Sequence, residues 1–372
     1  MNPQDSSRER VLVVVRGHLG DLVQALPALR DLRHDRPQAH IAVLLNEYVS
    51  TGLDGCPYVD EVLPGFAYRR RGVLIDAAHT AWLASRIIGR FDTVIGLRWS
   101  PSITPVLALL SGAQVRVGYD RTRRLGRLLT HDLGAEPIDT VSNRVLNQLP
   151  LKALGIAVDP SYPPIDWLPE SVRMQTSELL EVSGVPPGMP YAVIQISSHW
   201  GCGEWRTDKW AALSNHLAGC HGMKVVVTGT AEWFERAKFE ATRRRCRTEL
   251  VSLLGKTSVP QLFEVVRRAR LVVAGDSGLA QVSLAQRVPS VVLFGVEEIE
   301  ANGPLPGEAS SLMRTLQHWD PSGDVPPPNQ HCAFGRSHCH GRFCTEDSSR
   351  RNISVQDVAD QVDDLLGTLV RS

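Results

Sequence analysis

Three stretches of the chain bring together side chains that could carry chemistry. The first, Arg16-Gly17-His18-Leu19-Gly20-Asp21, follows an apolar run and leads into LVQALPALRDLR. Glycines permit a tight strand-to-helix turn, and an acid at a helix start is favoured by the helix dipole. Asp21 therefore has two readings, a helix cap or a carboxylate that takes a proton from a substrate hydroxyl. The Gly-x-x-Gly spacing departs from Gly-x-Gly-x-x-Gly, which argues against a dinucleotide site. The second stretch, Gly275-Asp276-Ser277-Gly278-Leu279, follows LVVA and opens LAQVSLAQ. A small-residue turn feeding a helix leaves free N–H groups that suit a diphosphate, although a plain strand-to-helix turn has the same form. In the third, Ser197 and Ser198 end an apolar run, and Arg206 and Lys209 follow. Hydroxyls and cations so placed can hold a phosphate by charge-assisted hydrogen bonds. Trp205 and Trp210, on either side of these two cations, read as core residues of the following helix.

Smaller signals surround these. In Thr228-Gly229-Thr230-Ala231-Glu232 the acid is placed to accept ribose hydroxyls or to be a solvated helix residue. Two basic clusters, Tyr68-Arg69-Arg70-Arg71 and Arg121-Thr122-Arg123-Arg124, suit a phosphorylated or carboxylated acceptor, or a solvated surface. Near the end, His331, Cys332, His338, Cys339, His340 and Cys344 gather soft-metal ligands without a paired Cys-x-x-Cys spacing. That segment reads as a loop of reduced thiols, with a structural zinc or iron site as the alternative.

The elements that must position these residues follow from hydrophobic periodicity. β-branched runs at 11–15, 41–45 and 92–97 alternate with amphipathic stretches such as 21–35. Runs lacking polar alternation are buried on both faces, so the pattern predicts an α/β fold with parallel sheet covered by helices. Between 159 and 190 the Pro-rich DPSYPPIDWLP and VPPGMP bracket a helical stretch, 170–182, and mark a domain boundary. A second series follows, with strands at 191–196, 224–228, 270–274 and 290–294. The expected organisation is 1–165, 166–350 and a closing helix over 351–372. Ser354 with Asp357 starts that helix, and Val355, Val358, Val362, Leu365, Leu366 and Leu369 form its apolar face. Two such domains would face a central cleft, where ligands sit beyond the strands' carboxyl ends.

A chain of 372 residues exceeds one hydrophobic core, and 43% hydrophobic with 22% charged residues excludes a disordered or collagen-like polymer. Forty basic residues balance forty acidic ones, so no global field holds the chain on nucleic acid or an anionic membrane. Aromatic interleaving of the basic clusters is sparse, which also argues against nucleic acid. No apolar run approaches the roughly 18 residues of a membrane span, leaving room only for peripheral membrane contact. Seven cysteines, an odd number, argue for a reducing compartment and a cytoplasmic protein.

Taken in order, HLGDLVQALPALRDLR, GCPYVDEVLPG, EWRTDKW, TGTAE and GDSGLAQVSLAQRVPSVVLFG resemble glycosyltransferase family nine, the ADP-heptose-dependent heptosyltransferases. The resemblance spans nearly the whole chain. Its most specific parts are the Gly20-Asp21 turn with its Pro27-containing helix, and the DSG helix followed by VPSVVLFG. It implies a GT-B fold of two Rossmann-like domains facing a cleft, with the acceptor on the N-terminal domain and the donor nucleotide on the C-terminal one. The family's catalytic carboxylate falls on Asp21, and its phosphate-binding helix start on Asp276, Ser277, Gly278 and Leu279. Glu232 falls where the family meets the nucleoside. With Ser197, Ser198, Glu204, Arg206, Lys209, Thr228 and Gly229, these make the expected donor site. His18, Gly20, Arg69 and Arg121 make the expected acceptor site.

Three positions depart from the family pattern as it resembles this chain: Glu204 stands where a Lys is usual, Gln281 where a His follows the DSG turn, and Asn143 near a frequent His. A carboxylate cannot replace an ammonium beside phosphates, so Arg206 or Lys209 would supply that charge. The implied activity is inverting, metal-independent transfer of a sugar, heptose from ADP-heptose, to an acceptor hydroxyl, with a nucleotide-sugar co-substrate and no bound cofactor. A lipopolysaccharide core sugar is the family's acceptor. The Arg-dominated basic composition also fits organisms without an outer membrane, so a small natural-product acceptor stands beside it, and a protein acceptor third. A nucleotide-sugar epimerase of the same architecture and a nucleotide-sugar binding protein without turnover are the rival classes.

Overall fold

The computed structural model describes residues 8–66, 73–98, 104–120, 124–134, 141–197, 205–294, 299–308, 312–317 and 353–371. The chain divides into two units, Met1–Trp167 and Leu168–Ser372.

In the N-terminal unit, β1 (Arg10–Val14), β2 (His40–Asn46), β3 (Glu61–Phe66), β4 (Thr93–Gly96), β5 (Val115–Gly118) and β6 (His131–Asp132) form one sheet in the order β3-β2-β1-β4-β5-β6. Every pairing is parallel. The helices are α1 (Leu19–Asp35), α2 (Val73–Ile87), α3 (Thr104–Leu110) and α4 (Asn143–Ala153). After Arg10, central β1 is apolar because helices cover both of its faces, and Val11 to Val14 are inaccessible to solvent. Leu12, Val14, Ala42, Leu44 and Val94 form one of its buried clusters. Arg144, on α4, is fully buried over the Tyr162 ring, 4.2 Å from its centroid, and donates to the Pro160 carbonyl. It thereby pins the segment that leaves this unit.

The C-terminal unit repeats the plan. β7 (Tyr191–Ile194), β8 (Lys224–Val227), β9 (Leu250–Ser252), β10 (Leu271–Gly275), β11 (Ser290–Phe294) and β12 (Met313–Gln317) form a second parallel sheet, ordered β12-β11-β10-β7-β8-β9. Counted from its own first strand, this is the same 3-2-1-4-5-6 order as in the first unit, the doubly wound arrangement of Rossmann folds. Its helices are α5 (Glu170–Val182), α6 (Thr207–His221), α7 (Trp233–Arg243), α8 (Val259–Arg267), α9 (Gly278–Ala285), α10 (Ile299–Asn302) and α11 (Val355–Arg371). The expected apolar face of α11 is the observed one. Val358, Val362, Leu365 and Leu366 are buried with Leu213, Leu217, Trp205 and Trp210, and Val355 and Leu369 pack at the margin. Ser354 and Asp357 cap the helix reciprocally, at 2.9 and 3.0 Å.

The expected strands lie within a residue or two of β1, β2, β4, β7, β8, β10 and β11. Among those without a sequence signal, β3, β6, β9 and β12 are sheet edges. β6 and β9 are only two and three residues long, β3 is broken by Pro64 and Gly65, and β12 carries Arg314, Thr315 and Gln317 on a half-solvated edge, so the apolar runs that mark central strands are missing from them.

Candidate active site

In a doubly wound sheet, neighbouring strands whose connections depart to opposite sides leave a crevice past their carboxyl ends. Those neighbours are β1 and β4 in the N-terminal unit, and β7 and β10 in the C-terminal unit. The two strongest sequence motifs follow β1 and β10.

In the N-terminal unit the helix begins earlier than the motif suggests. His18, not Asp21, is the cap of α1, and Asp21 occupies its third position. The Asp21 carboxylate accepts the His18 backbone N–H at 2.6 Å. A structural role as reciprocal partner of the His18 cap and a role as proton acceptor are nonetheless compatible, because an ionised carboxylate has about four acceptor positions and the bond to His18 uses one. Asp21 is only partly accessible, and burial raises its pKa from 3.8 to about 6, against the opposing pull of the His18 N–H and the Arg98 charge. A carboxyl near 6 is ionised at neutral pH yet basic enough to accept a proton in a transition state.

Arg98, which no sequence motif marks, lies two residues past β4 and is 4% exposed. Its backbone N–H donates to Asn147 Oδ1 at 3.0 Å, and Asn147 donates to the Gln24 carbonyl at 3.0 Å, which ties β4, α4 and α1 together beside Asp21. The one available signal was an Arg directly after an apolar strand. His18 contacts the Tyr48 hydroxyl through Nδ1, and desolvation and then Arg16 lower its imidazole pKa. Asn46 donates to the Gly17 carbonyl, and Gly20 is the second residue of α1.

Gly17 has φ +141, and a methyl group there would overlap the Asp21 carboxylate. Gly17→Ala should therefore displace Asp21, costing roughly 1–3 kcal/mol of stability and about tenfold in turnover. Denaturant unfolding and initial rates on that variant check it; wild-type values for both would show that the turn does not set the position of the carboxylate.

In the C-terminal unit, Ser277 caps α9 just past β10, with Gly278 and Leu279 in the first turn. The Ser277 hydroxyl donates to Gln195 Oε1 at 2.7 Å, joining the ends of β10 and β7 across the crevice. Asp276 accepts from Asn302 Nδ2 at 2.9 Å, and Gln281 donates to the Asn302 carbonyl at 2.6 Å. Gln281 thus braces the helix from a buried position and ties it to α10. What remains at the start of α9 is a set of backbone N–H groups and the positive end of the helix dipole, an arrangement that holds anions.

The Ser197 hydroxyl is committed elsewhere than the sequence suggested. It donates at 2.8 Å to Glu235, a buried carboxylate that also accepts from the Thr230 hydroxyl. Nothing in the sequence marks Glu235, because an acid in a first helical turn is usually solvated. Gly229 shares this corner with φ +156, where a Cβ would press on Leu254 and the Glu235 carboxylate. Thr228 is buried with its N–H on the Ile194 carbonyl, and Glu232 caps α7 at the rim of β8. The cations expected to serve phosphates have other partners: Arg206 pairs with Asp208 at 2.9 Å, and Lys209 donates to the Ile353 carbonyl at 2.7 Å, holding the entry to α11. Trp205 and Trp210 are core residues, as expected. Ser198, Glu204, Arg69 and Arg121 lie outside the described residues, as do Cys332, Cys339 and Cys344. Asn143 is buried at the start of α4.

A family model described as glycosyltransferase family 9 (heptosyltransferase) matches residues 86–320. Among curated proteins, lipopolysaccharide heptosyltransferase 3 of Escherichia coli is 26% identical over 289 residues, 75% of this chain and 81% of that protein. Among solved structures, a glycosyl transferase family 9 protein from Veillonella parvula DSM 2008 superposes with a TM-score of 0.76 at 21% identity, covering 98% of each chain. The E. coli heptosyltransferase WaaC with ADP-2-deoxy-2-fluoro heptose superposes with a TM-score of 0.66 at 17% identity, over 95% of this chain and 99% of that one. These likenesses identify the fold as that of GT-B heptosyltransferases. Among the described residues, no helix is long and apolar enough to cross a membrane.

Proposed function

The chain belongs to glycosyltransferase family 9, the heptosyltransferases, and from that premise we propose that it transfers heptose from ADP-heptose, with inversion, to a hydroxyl of a carbohydrate acceptor. The observation that carries this reading is Asp21, a carboxylate with pKa about 6 at the strand-order reversal of the N-terminal sheet, beside a buried arginine. The acceptor O–H proton passes to Asp21 as the acceptor oxygen forms its bond to the anomeric carbon. The anomeric carbon–oxygen bond to the diphosphate breaks on the opposite face, and ADP leaves with the electron pair. Negative charge grows on the diphosphate, where the N–H groups at the start of α9 meet it. No metal ion or bound cofactor has a part in this scheme.

For the acceptor, a lipopolysaccharide core sugar is the first candidate, supported by the name of the E. coli relative. Synthesis on a lipid-linked acceptor fits a cytoplasmic enzyme with peripheral membrane contact.

Product analysis tests the reading. With ADP-heptose and a heptose-deficient lipopolysaccharide core, one ADP should form per heptose attached, with the opposite anomeric configuration. ADP should also raise the melting temperature more than GDP or UDP at equal concentration. Release of ADP without any acceptor would favour an epimerase-like elimination; ADP binding without turnover on core sugars or small natural-product acceptors would favour a binding protein.

A further inference from the structure

Away from the residues assigned to transfer, two imidazoles converge on one carboxylate oxygen. His216 Nε2 lies 2.8 Å and His221 Nε2 2.7 Å from Asp363 Oδ1, and the three ligand atoms lie within 4.8 Å of one another. We propose that His216, His221 and Asp363 bind a borderline divalent transition metal, Zn2+ in the first instance, that fastens α11 to α6.

The donor set selects the cation class. Mg2+ and Ca2+ take oxygen ligands, whereas two imidazoles with one carboxylate suit Zn2+, Co2+, Ni2+ or Cu2+. Zn–N and Zn–O bonds of about 2.0–2.2 Å in a tetrahedron put ligand atoms roughly 3.4 Å apart. The two hydrogen-bonded edges must therefore open by about 0.6 Å as the ion takes the place of the shared protons. Asp363 has the freedom for this, its side chain being 48% exposed, while the two histidines are near 20%. Three ligands leave the fourth corner to water.

The backbone that carries the ligands is fixed by other forces. Leu217, next to His216, and Val362, next to Asp363, are fully buried in one apolar cluster with Leu213 and Leu366. The ligands are thus held near their places before any ion arrives, and little ordering entropy opposes binding. His221 ends α6, so the negative end of that helix dipole adds to the carboxylate in attracting a cation. The ion would join α6 to a helix more than 130 residues later in sequence, near the chain end.

The test uses the full chain without a polyhistidine tag, stripped by chelator and titrated calorimetrically with Zn2+. The cysteine-rich segment is a second source of ligands, so two variants are compared, His216→Ala/His221→Ala and Cys332→Ser/Cys339→Ser/Cys344→Ser. The wild type should bind Zn2+ with a melting-temperature rise of about 5 °C or more at a hundredfold excess over Kd. The histidine variant should lose about one equivalent and most of that rise, and the serine variant should keep both. Co2+ on the serine variant should give visible d–d bands without near-ultraviolet thiolate absorption, a readout that needs no histidine variant to fold. Undiminished stoichiometry in the histidine variant, loss of all binding in the serine variant, or a wild type that binds no Zn2+ would overturn the proposal.

Discussion

Asp21→Asn is expected to lower turnover by at least about a hundredfold while making the folded chain more stable at pH 8. Asn has nearly the same volume and keeps an oxygen that can accept the His18 N–H, so the start of α1 is preserved. It cannot accept a substrate proton. The stability gain follows from linkage. A carboxyl whose folded pKa is raised from 3.8 to about 6 favours folding below pH 3.8 and loses that contribution as pH rises through 6. At pH 8 the ionised group opposes folding, so its neutral isostere should stabilise on the order of 3 kcal/mol, an advantage that has largely gone by pH 4. Denaturant titrations at both pH values measure this. The wild-type rate should rise with pH through about 6 and then level off, since only ionised Asp21 takes the proton; at pH 5 roughly a tenth of the plateau remains. A variant that turns over normally but unfolds more easily would reduce Asp21 to a cap.

Ser277→Asp should abolish donor binding without harming the fold. Aspartate is as good a helix cap as serine, and its charge favours a helix start. The same charge stands where the proposed diphosphate sits. Two like charges about 4 Å apart repel by roughly 4 kcal/mol at an effective dielectric constant of 20, so ADP affinity should fall at least about a hundredfold. Calorimetric titration with ADP reads this directly, with circular dichroism verifying the helix content. Ser277→Ala is the companion: it loses only the bond to Gln195 and should weaken ADP by less than about tenfold. Wild-type ADP affinity in Ser277→Asp would move the diphosphate away from α9.

Features that depend on local periodicity and turn chemistry were legible along the chain. Uniformly apolar runs marked the central strands β1, β2, β7, β10 and β11, because strands covered on both faces need no polar alternation. The reciprocal Ser354–Asp357 cap and the apolar face of α11 were legible for the same reason: their residues are three and four apart. The glycine-bearing turns before α1 and α9 were legible too, and the doubly wound topology made them matter by setting them at the strand-order reversals. Tertiary structure alone decided which side chains these turns meet. Arg98 reaches the neighbourhood of Asp21 because β4 pairs with β1, a register that sequence spacing does not encode. Ser197 finds Glu235 38 residues on, and Lys209 finds the Ile353 carbonyl 144 residues on, so groups that looked available to phosphate are bound to protein instead. His216 and His221 acquired a shared carboxylate only when the closing helix packed on α6, 147 and 142 residues away. A side chain's type is local, but its partner is chosen by the burial of apolar faces elsewhere in the chain, and that choice appears only after the elements have docked.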